Sequence, residues 1–297
     1  MDNRDQVKAF LSTRRAKLTP EQAGLHHYNR NRRVPGLRRH EVADLAGVSV
    51  EYYAQLERGN LTGVSDSVLD ALARALQLDE AERAHLAELA RAAGPAARTR
   101  RRKPPAQQVR PNVQRILDGM TEVPAVVNNG RLDVLAANSL ARALFAPMLA
   151  EPSRPDRPAN HARFNFLSPC ARDFWLDWEA TADDSVAILR AEAGRDPYDK
   201  ALIDLVGELC TRSEDFRVRW AAHDVRLHRT GLKHFHHPVV GDLHLSYEVM
   251  ELPADPGLAL TAFSTEAGSP TDDALKLLAS WAATHNPADA LATPNQP

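Results

Sequence analysis

The segment EVADLAGVSVEYYAQLERG, residues 41–59, restricts the fold of this chain more than any other. Residues 38–46 and 50–58 each carry apolar side chains at helical spacing, and only Gly47, Val48 and Ser49 separate them, so two short helices must turn sharply on each other. Val42, Ala43, Leu45, Ala46, Val48, Tyr53 and Leu56 are expected to face inward. Ala43 is small enough to let the helices cross closely, and Gly47 permits the tight turn. Ser49 is placed to cap the second helix, and Gly59 ends it. Held this way, the second helix projects outward, the geometry that fits a helix into the major groove of DNA.

The outward positions of that second helix carry readable chemistry. Gln55 can pair with adenine through two hydrogen bonds, Glu51 can accept from cytosine N4, Val50 can touch a thymine methyl, and Tyr52 shares this face. Ser49 stands at the helix entrance. Arg38 and Arg39 open the preceding helix and suit phosphate or guanine, while Asn60 and Thr62, in the loop after Gly59, suit backbone contacts. Charge agrees with a polyanionic partner for this part alone. Residues 1–103 hold 19 Lys and Arg against 13 Asp and Glu, whereas the remainder holds 18 against 26. Arg30, Arg32 and Arg33, in a loop rich in turn residues, either reach the DNA backbone or form a solvated surface.

Five helices are expected over residues 5–93, with Ser65 capping the fourth and Asp79 with Glu82 forming an acidic capping box on the fifth. Residues 94–111, GPAARTRRRKPPAQQVRP, read as a basic linker. Residues 112–281 should form a second domain of mixed α and β structure, and 282–297 a flexible tail. Hairpins are expected at Asn129-Gly130 and Gly241-Asp242, with LALTAFST as a further strand and helical stretches at 170–193 and 198–222. No apolar run is long enough to span a membrane, and the N-terminus lacks the apolar core of a signal peptide, so a cytoplasmic protein is expected. Cys170 and Cys210 are too few for a disulfide framework and read as buried thiols.

The second domain carries no G-x-S-x-G, glycine-rich phosphate loop or H-E-x-x-H, so an enzyme is not expected. Six histidines fall between His223 and His244, but with no matching carboxylate spacing they suggest backbone-bonded hairpin histidines rather than a metal site. Phe145, Phe166, Phe174, Trp175, Trp178, Phe216 and Trp220 either build a core or line an apolar pocket. In the second case Asn138, Arg219, His223 and His237 are the candidate polar anchors.

LAGVSVEYYAQLERG resembles the repressor-type helix-turn-helix of the lambda repressor and Xre group, except that Arg39 stands where that group often has Gln. The succession PAVVNNGRLDVLAAN, FLSPCARDFWLDWE, LVGELCTRSEDFRVRWAAHDVR, HHPVVGDLHLSYEVMELP and GSPTDDALKLLAS is similar, over nearly all of 110–281, to the ligand-binding domain of MmyB-like regulators. The earlier pieces LSTRRAKLTPEQAGL and LDALARALQLDEAERAHLAELA match that family too. The resemblance implies a bacterial transcription regulator: an all-α helix-turn-helix domain followed by an α+β, PAS-like domain. It also implies an apolar cavity for a fatty-acid-like effector and no other cofactor. Leu132 and Ala137 stand where the family commonly carries tryptophan. Double-stranded DNA is the expected partner, and repressor-type readers usually address paired half-sites, so a homodimer is expected.

Overall fold

The computed structural model describes residues 3–25, 34–94, 108–150, 157–222 and 229–285. Arg30, Arg32, Arg33 and His223 lie outside the described residues, as do 95–107 of the basic linker and 286–297 of the tail. Contacts divide the chain into two units. The first comprises Met1–Lys103 and Val186–Leu227, the second Pro104–Ser185 and His228–Pro297.

The first unit opens with five helices: α1 (Asn3–Lys17), α2 (Arg39–Ala46), α3 (Val50–Glu57), α4 (Asp66–Ala75) and α5 (Glu80–Ala93). Their apolar faces meet in one core that includes Val7, Phe10, Leu11, Val42, Ala43, Tyr53, Leu56, Leu72 and Leu86. The α2–α3 turn forms as the sequence requires. Gly47 takes a left-handed φ of 67°, and its neighbour Val48 donates its N–H to Ala43 O at 3.0 Å, closing the end of α2. Gly59 (φ 95°) is needed twice over, since a Cβ there would lie 2.5 Å from Arg4 O on α1. The Asp79–Glu82 capping box is present, with both reciprocal bonds near 3 Å (2.8 and 3.0 Å). Ser65 sits at the N-cap of α4 but does not cap it, because its hydroxyl pairs with that of Ser67 at 2.9 Å. Leu45, expected inside, is exposed, while Val42, Ala43 and Ala46 carry the buried face of α2.

The second unit is built on a five-stranded antiparallel sheet. Helix α6 (Pro111–Gly119) precedes strands β1 (Ala125–Asn129) and β2 (Val134–Ala137), and short helices α7 (Ser139–Leu144), α8 (Ala146–Leu149), α9 (His161–Leu167) and α10 (Ala171–Phe174) follow. Strands β3 (Thr230–His237), β4 (Gly241–Glu251) and β5 (Leu258–Ser264) come after the helical middle of the chain, and α14 (Pro270–His285) ends the described part. Spatial order is β2-β1-β5-β4-β3. In β4, Leu243, Leu245 and Tyr247 are buried while Asp242, His244 and Ser246 are exposed, the two-residue alternation of a strand with one face on a core. Val113 and Leu117 of α6 pack with Val127, Leu258 and Leu260 on the other face of the sheet.

Both expected hairpins form, though the first differs in its turn. Asn129-Gly130 does not make a two-residue loop. Asn129 Oδ1 instead accepts from the N–H groups of Arg131 and Asp133, both at 3.0 Å, and the left-handed residue is Leu132 (φ 65°). Hydrogen bonds from an Asn side chain into its own turn widen it by two residues.

The helical middle also differs from two long stretches. It comprises α10, then α11 (Trp178–Arg195), α12 (Lys200–Arg212) and α13 (Glu214–Ala221). In the first unit, Gly194 near the end of α11 meets α5, and a Cβ there would lie 2.6 Å from His85 Cε1. Cys170 is exposed and Cys210 partly exposed, so neither is the buried thiol expected; Cys170 sits at the start of α10, outside the apolar cluster.

Candidate nucleic-acid interface and aromatic cluster

Helix α3 is presented for contact. Ser49 Oγ accepts from Tyr52 N at 3.1 Å, which satisfies the helix entrance and leaves the hydroxyl proton facing solvent. Val50, Glu51 and Gln55 are exposed, and no hydrogen bond within the chain occupies the Glu51 or Gln55 side chain among the described residues. Tyr52 is half-buried, its ring against the core of the first unit. Asn60 is exposed just beyond Gly59. Thr62 is exposed as well, and its hydroxyl donates to Ala93 O at 3.1 Å.

The two arginines at the head of α2 differ. Arg38 is half-buried, and its backbone N–H is held by Glu41 Oε2 at 2.6 Å. Arg39 is a more exposed side chain (56%) whose Nε donates to Glu57 Oε2. Glu57 itself is 2% exposed, and its other oxygen accepts from Arg15 Nε at 2.7 Å, while Arg15 Nη1 donates to Leu37 O at 2.9 Å. One carboxylate thus ties together α1, the start of α2 and the end of α3. The hydrogen bond and charge of Glu57 push the Arg39 guanidinium further above its ordinary value, so it stays charged at all accessible pH. Burial, with the Glu57 charge nearby, raises the Tyr53 hydroxyl far above its usual range. Reading the sequence missed Glu57 and Arg15. The signal was available: Glu57 falls four residues after inward-facing Tyr53, and a charge on an inward face demands a partner.

The aromatic residues split. Phe145, Phe174, Trp175 and Trp178 share one buried cluster with Phe164, Phe235 and Phe263, and Phe166 packs on its edge. Phe145 is its hub, with ring centroids 5.6 Å from Phe263, 5.9 Å from Phe235 and 6.4 Å from both Phe174 and Trp175. Phe216 and Trp220 are not in it. They belong to the first unit, stacked on each other at 5.5 Å, with the buried Arg190 guanidinium 3.9 Å over the Trp220 ring. Arg219 lies with them, paired to Asp215 at 3.3 Å. Residues on α13 are separated by one helical turn and so stay together, but hydrophobicity alone does not say which core receives them.

Two expected anchors are already occupied. Asn138, 1% exposed, accepts from Ala141 N (2.8 Å) and Ala125 N (3.2 Å) and donates to Met120 O (2.6 Å) and Val123 O (2.7 Å). An amide side chain has two donors and two main acceptor positions, so none remains for a ligand. His237, also 1% exposed, uses Nε2 on Ala143 O (3.1 Å) and accepts from Val239 N at Nδ1 (3.2 Å). Burial lowers its pKa, against the opposing pull of the Ala143 carbonyl. It joins the β3–β4 turn to α7 as a neutral ring. The other polar groups on this face are Lys233, bonded to Asp184 at 2.7 Å, and Tyr247, whose hydroxyl burial raises to about 12. His234 pairs with Asp177, and His236 with Asp242 at 2.6 Å. Among the described residues no group of three His, Cys, Asp or Glu is arranged to hold a metal ion, and no helix is long and apolar enough to cross a membrane.

Two known family models match the chain. Residues 12–86 match a helix-turn-helix domain, the segment that contains α2 and α3. Residues 109–278 match the MmyB-like transcription regulator ligand binding domain, a span that runs through 186–227 and so crosses the division between contact units. No curated protein matches the chain. With more than half of its length in that second match and a helix-turn-helix ahead of it, the chain belongs to the MmyB-like transcription regulators, DNA-binding proteins that carry a ligand-binding domain.

Proposed function

We propose that this regulator reads a specific operator through Val50, Glu51, Tyr52 and Gln55 in the major groove, in the manner of the Xre group. Arg38, Arg39, Ser49 and Asn60 hold the phosphate backbone, and Arg30, Arg32 and Arg33 add backbone contacts. One observation carries this reading: α3 exposes the Val50, Glu51 and Gln55 side chains, free of internal hydrogen bonds, while Tyr53 and Leu56 on its other face are buried. Residues 1–93 act as the reader and 112–281 as a PAS-like sensor, joined by the basic linker. The protein works as a cytoplasmic bacterial homodimer on paired half-sites.

The sensor takes a small apolar, fatty-acid-like effector into the aromatic cluster around Phe145. Such a molecule shifts the DNA-competent population only through unequal affinity for the two states. Selection of bound duplexes from a random pool tests the reader: a single unpaired half-site would refute the dimer. Native mass spectrometry of fresh protein, with thermal shifts across a fatty-acid panel, tests the sensor, and no bound lipid with no shift would refute it. A second reading, in which this domain only mediates association, draws on the filled hydrogen-bonding capacity of Asn138 and His237. It expects the same null result together with a concentration-dependent dimer.

A further inference from the structure

We propose that Glu57 is a positioning residue for DNA binding: it holds the Arg39 guanidinium by its Nε edge, so that the opposite edge is presented to a phosphate. This rests on the reading of Arg39 as a backbone contact. The guanidinium is planar, with five N–H donors in fixed directions. Glu57 Oε2 takes the Nε–H, which fixes the plane of the group. The two Nη atoms have no partner among the described residues, and the side chain is more than half exposed. Glu57 can serve as a rigid mount because it is buried and itself clamped by Arg15, which is anchored in turn on Leu37 O.

Charge favours the same assignment. Arg15 alone neutralises Glu57, so the three-residue cluster keeps one positive charge, and its exposed member is Arg39. A side chain already fixed in one orientation loses less rotamer entropy when phosphate binds than a free arginine does. The device also accounts for an arginine at this position in a chain with a buried carboxylate at the end of α3. A glutamine in its place would have no charge to bring to the backbone.

The test uses the full chain and a mixed-sequence duplex, with affinity measured across a salt series, for Arg39→Gln, Arg39→Lys, Glu57→Gln and the double variant Glu57→Gln/Arg39→Gln. Arg39→Gln should weaken binding ~10-fold and lower the salt slope by about 0.9. Arg39→Lys keeps the charge and therefore the salt slope, but should still lose affinity several-fold, because a flexible ammonium drawn to Glu57 has no planar fork fixed toward the phosphate. Glu57→Gln distinguishes most sharply. Removing a negative charge near DNA should tighten binding if only charge counts, whereas loss of the mount should weaken it several-fold, roughly the entropy of one freed side chain. In the Arg39→Gln background the Glu57 substitution should then have no further effect. Full affinity in Arg39→Lys, tighter binding in Glu57→Gln, or an additive loss in the double variant would each overturn the proposal. If Arg39→Gln changes neither affinity nor slope, the backbone contact itself is refuted. Thermal melts of each variant identify any loss that comes from unfolding, and the Arg39→Lys arm leaves Glu57 intact.

Discussion

Replacing Asn138 by alanine should destabilise the second unit by about 3–4 kcal/mol, with no effector present. The magnitude follows from its four partners. Losing the N-cap bond to Ala141 N costs about 1 kcal/mol. The Ala125 N–H, Met120 C=O and Val123 C=O are each left without their partner, at about 1 kcal/mol apiece toward the low end of the range for buried groups. Asn138→Ser should recover roughly the cap alone, about 1 kcal/mol. Asn138→Asp should not restore stability, since it keeps the acceptor but turns an anion toward two carbonyl oxygens. Urea unfolding followed by tryptophan fluorescence gives the energies, and hydrogen exchange at Ala125 and Ala141 localises them. A loss under about 1 kcal/mol with both amides still protected would refute the reasoning.

Three further outcomes are expected. Gln55→Ala should weaken binding to a selected operator by about 1–3 kcal/mol and leave random DNA unaffected; equal losses on both would remove Gln55 from the readout. Gly59→Ala should destabilise the reader by on the order of 3 kcal/mol, combining left-handed strain with the collision at Arg4 O. Gly47→Ala, which has open space around it, should cost about 1 kcal/mol, and a thermal melt that ranks the two the other way would contradict the geometry. His237 has a folded pKa below its ordinary value, so the unfolded chain binds more protons. Stability is therefore complete above about pH 6.5 and declines as pH falls toward the lowered folded value. His237→Phe should remove that part of the decline, and an unchanged pH profile would count against it.

The sequence made the secondary elements legible wherever one local rule decided them. Gly47 and Ser49 fixed the α2–α3 turn, Asp79 and Glu82 the start of α5, and the alternation in 241–251 the strand β4. It misled where two local rules competed. Ser65 could cap a helix or pair with Ser67, and Asn129-Gly130 could make a tight turn or an Asn-bonded wider one. Tertiary assignments were harder for a different reason. Phe216 and Trp220 are as apolar as Phe174 and Trp175, and periodicity shows that each is buried but not against what. The occupancy of Asn138 was legible only in part: an Asn ahead of a helix signals the cap bond from Ala141 N, but its carbonyl partners lie 15 and 18 residues away in the chain.

Polar residues beside an apolar cluster look like ligand anchors in a sequence because both roles need the same atoms. A fold, however, must satisfy its buried backbone groups before any ligand arrives, and Asn138 and His237 are spent on that. The same holds for Trp175, whose Nε1 donates to Asn165 Oδ1 at 2.8 Å, and Trp178, whose Nε1 donates to Asn165 O at 2.9 Å. An effector that entered this cluster would therefore be selected by shape and apolar area more than by hydrogen bonds, since breaking any of these bonds leaves a buried group unpaired. Discrimination would then depend on the volume of the lining side chains. Ala137, buried in the cluster and paired with Val126, is one small side chain at which a larger residue would leave less room.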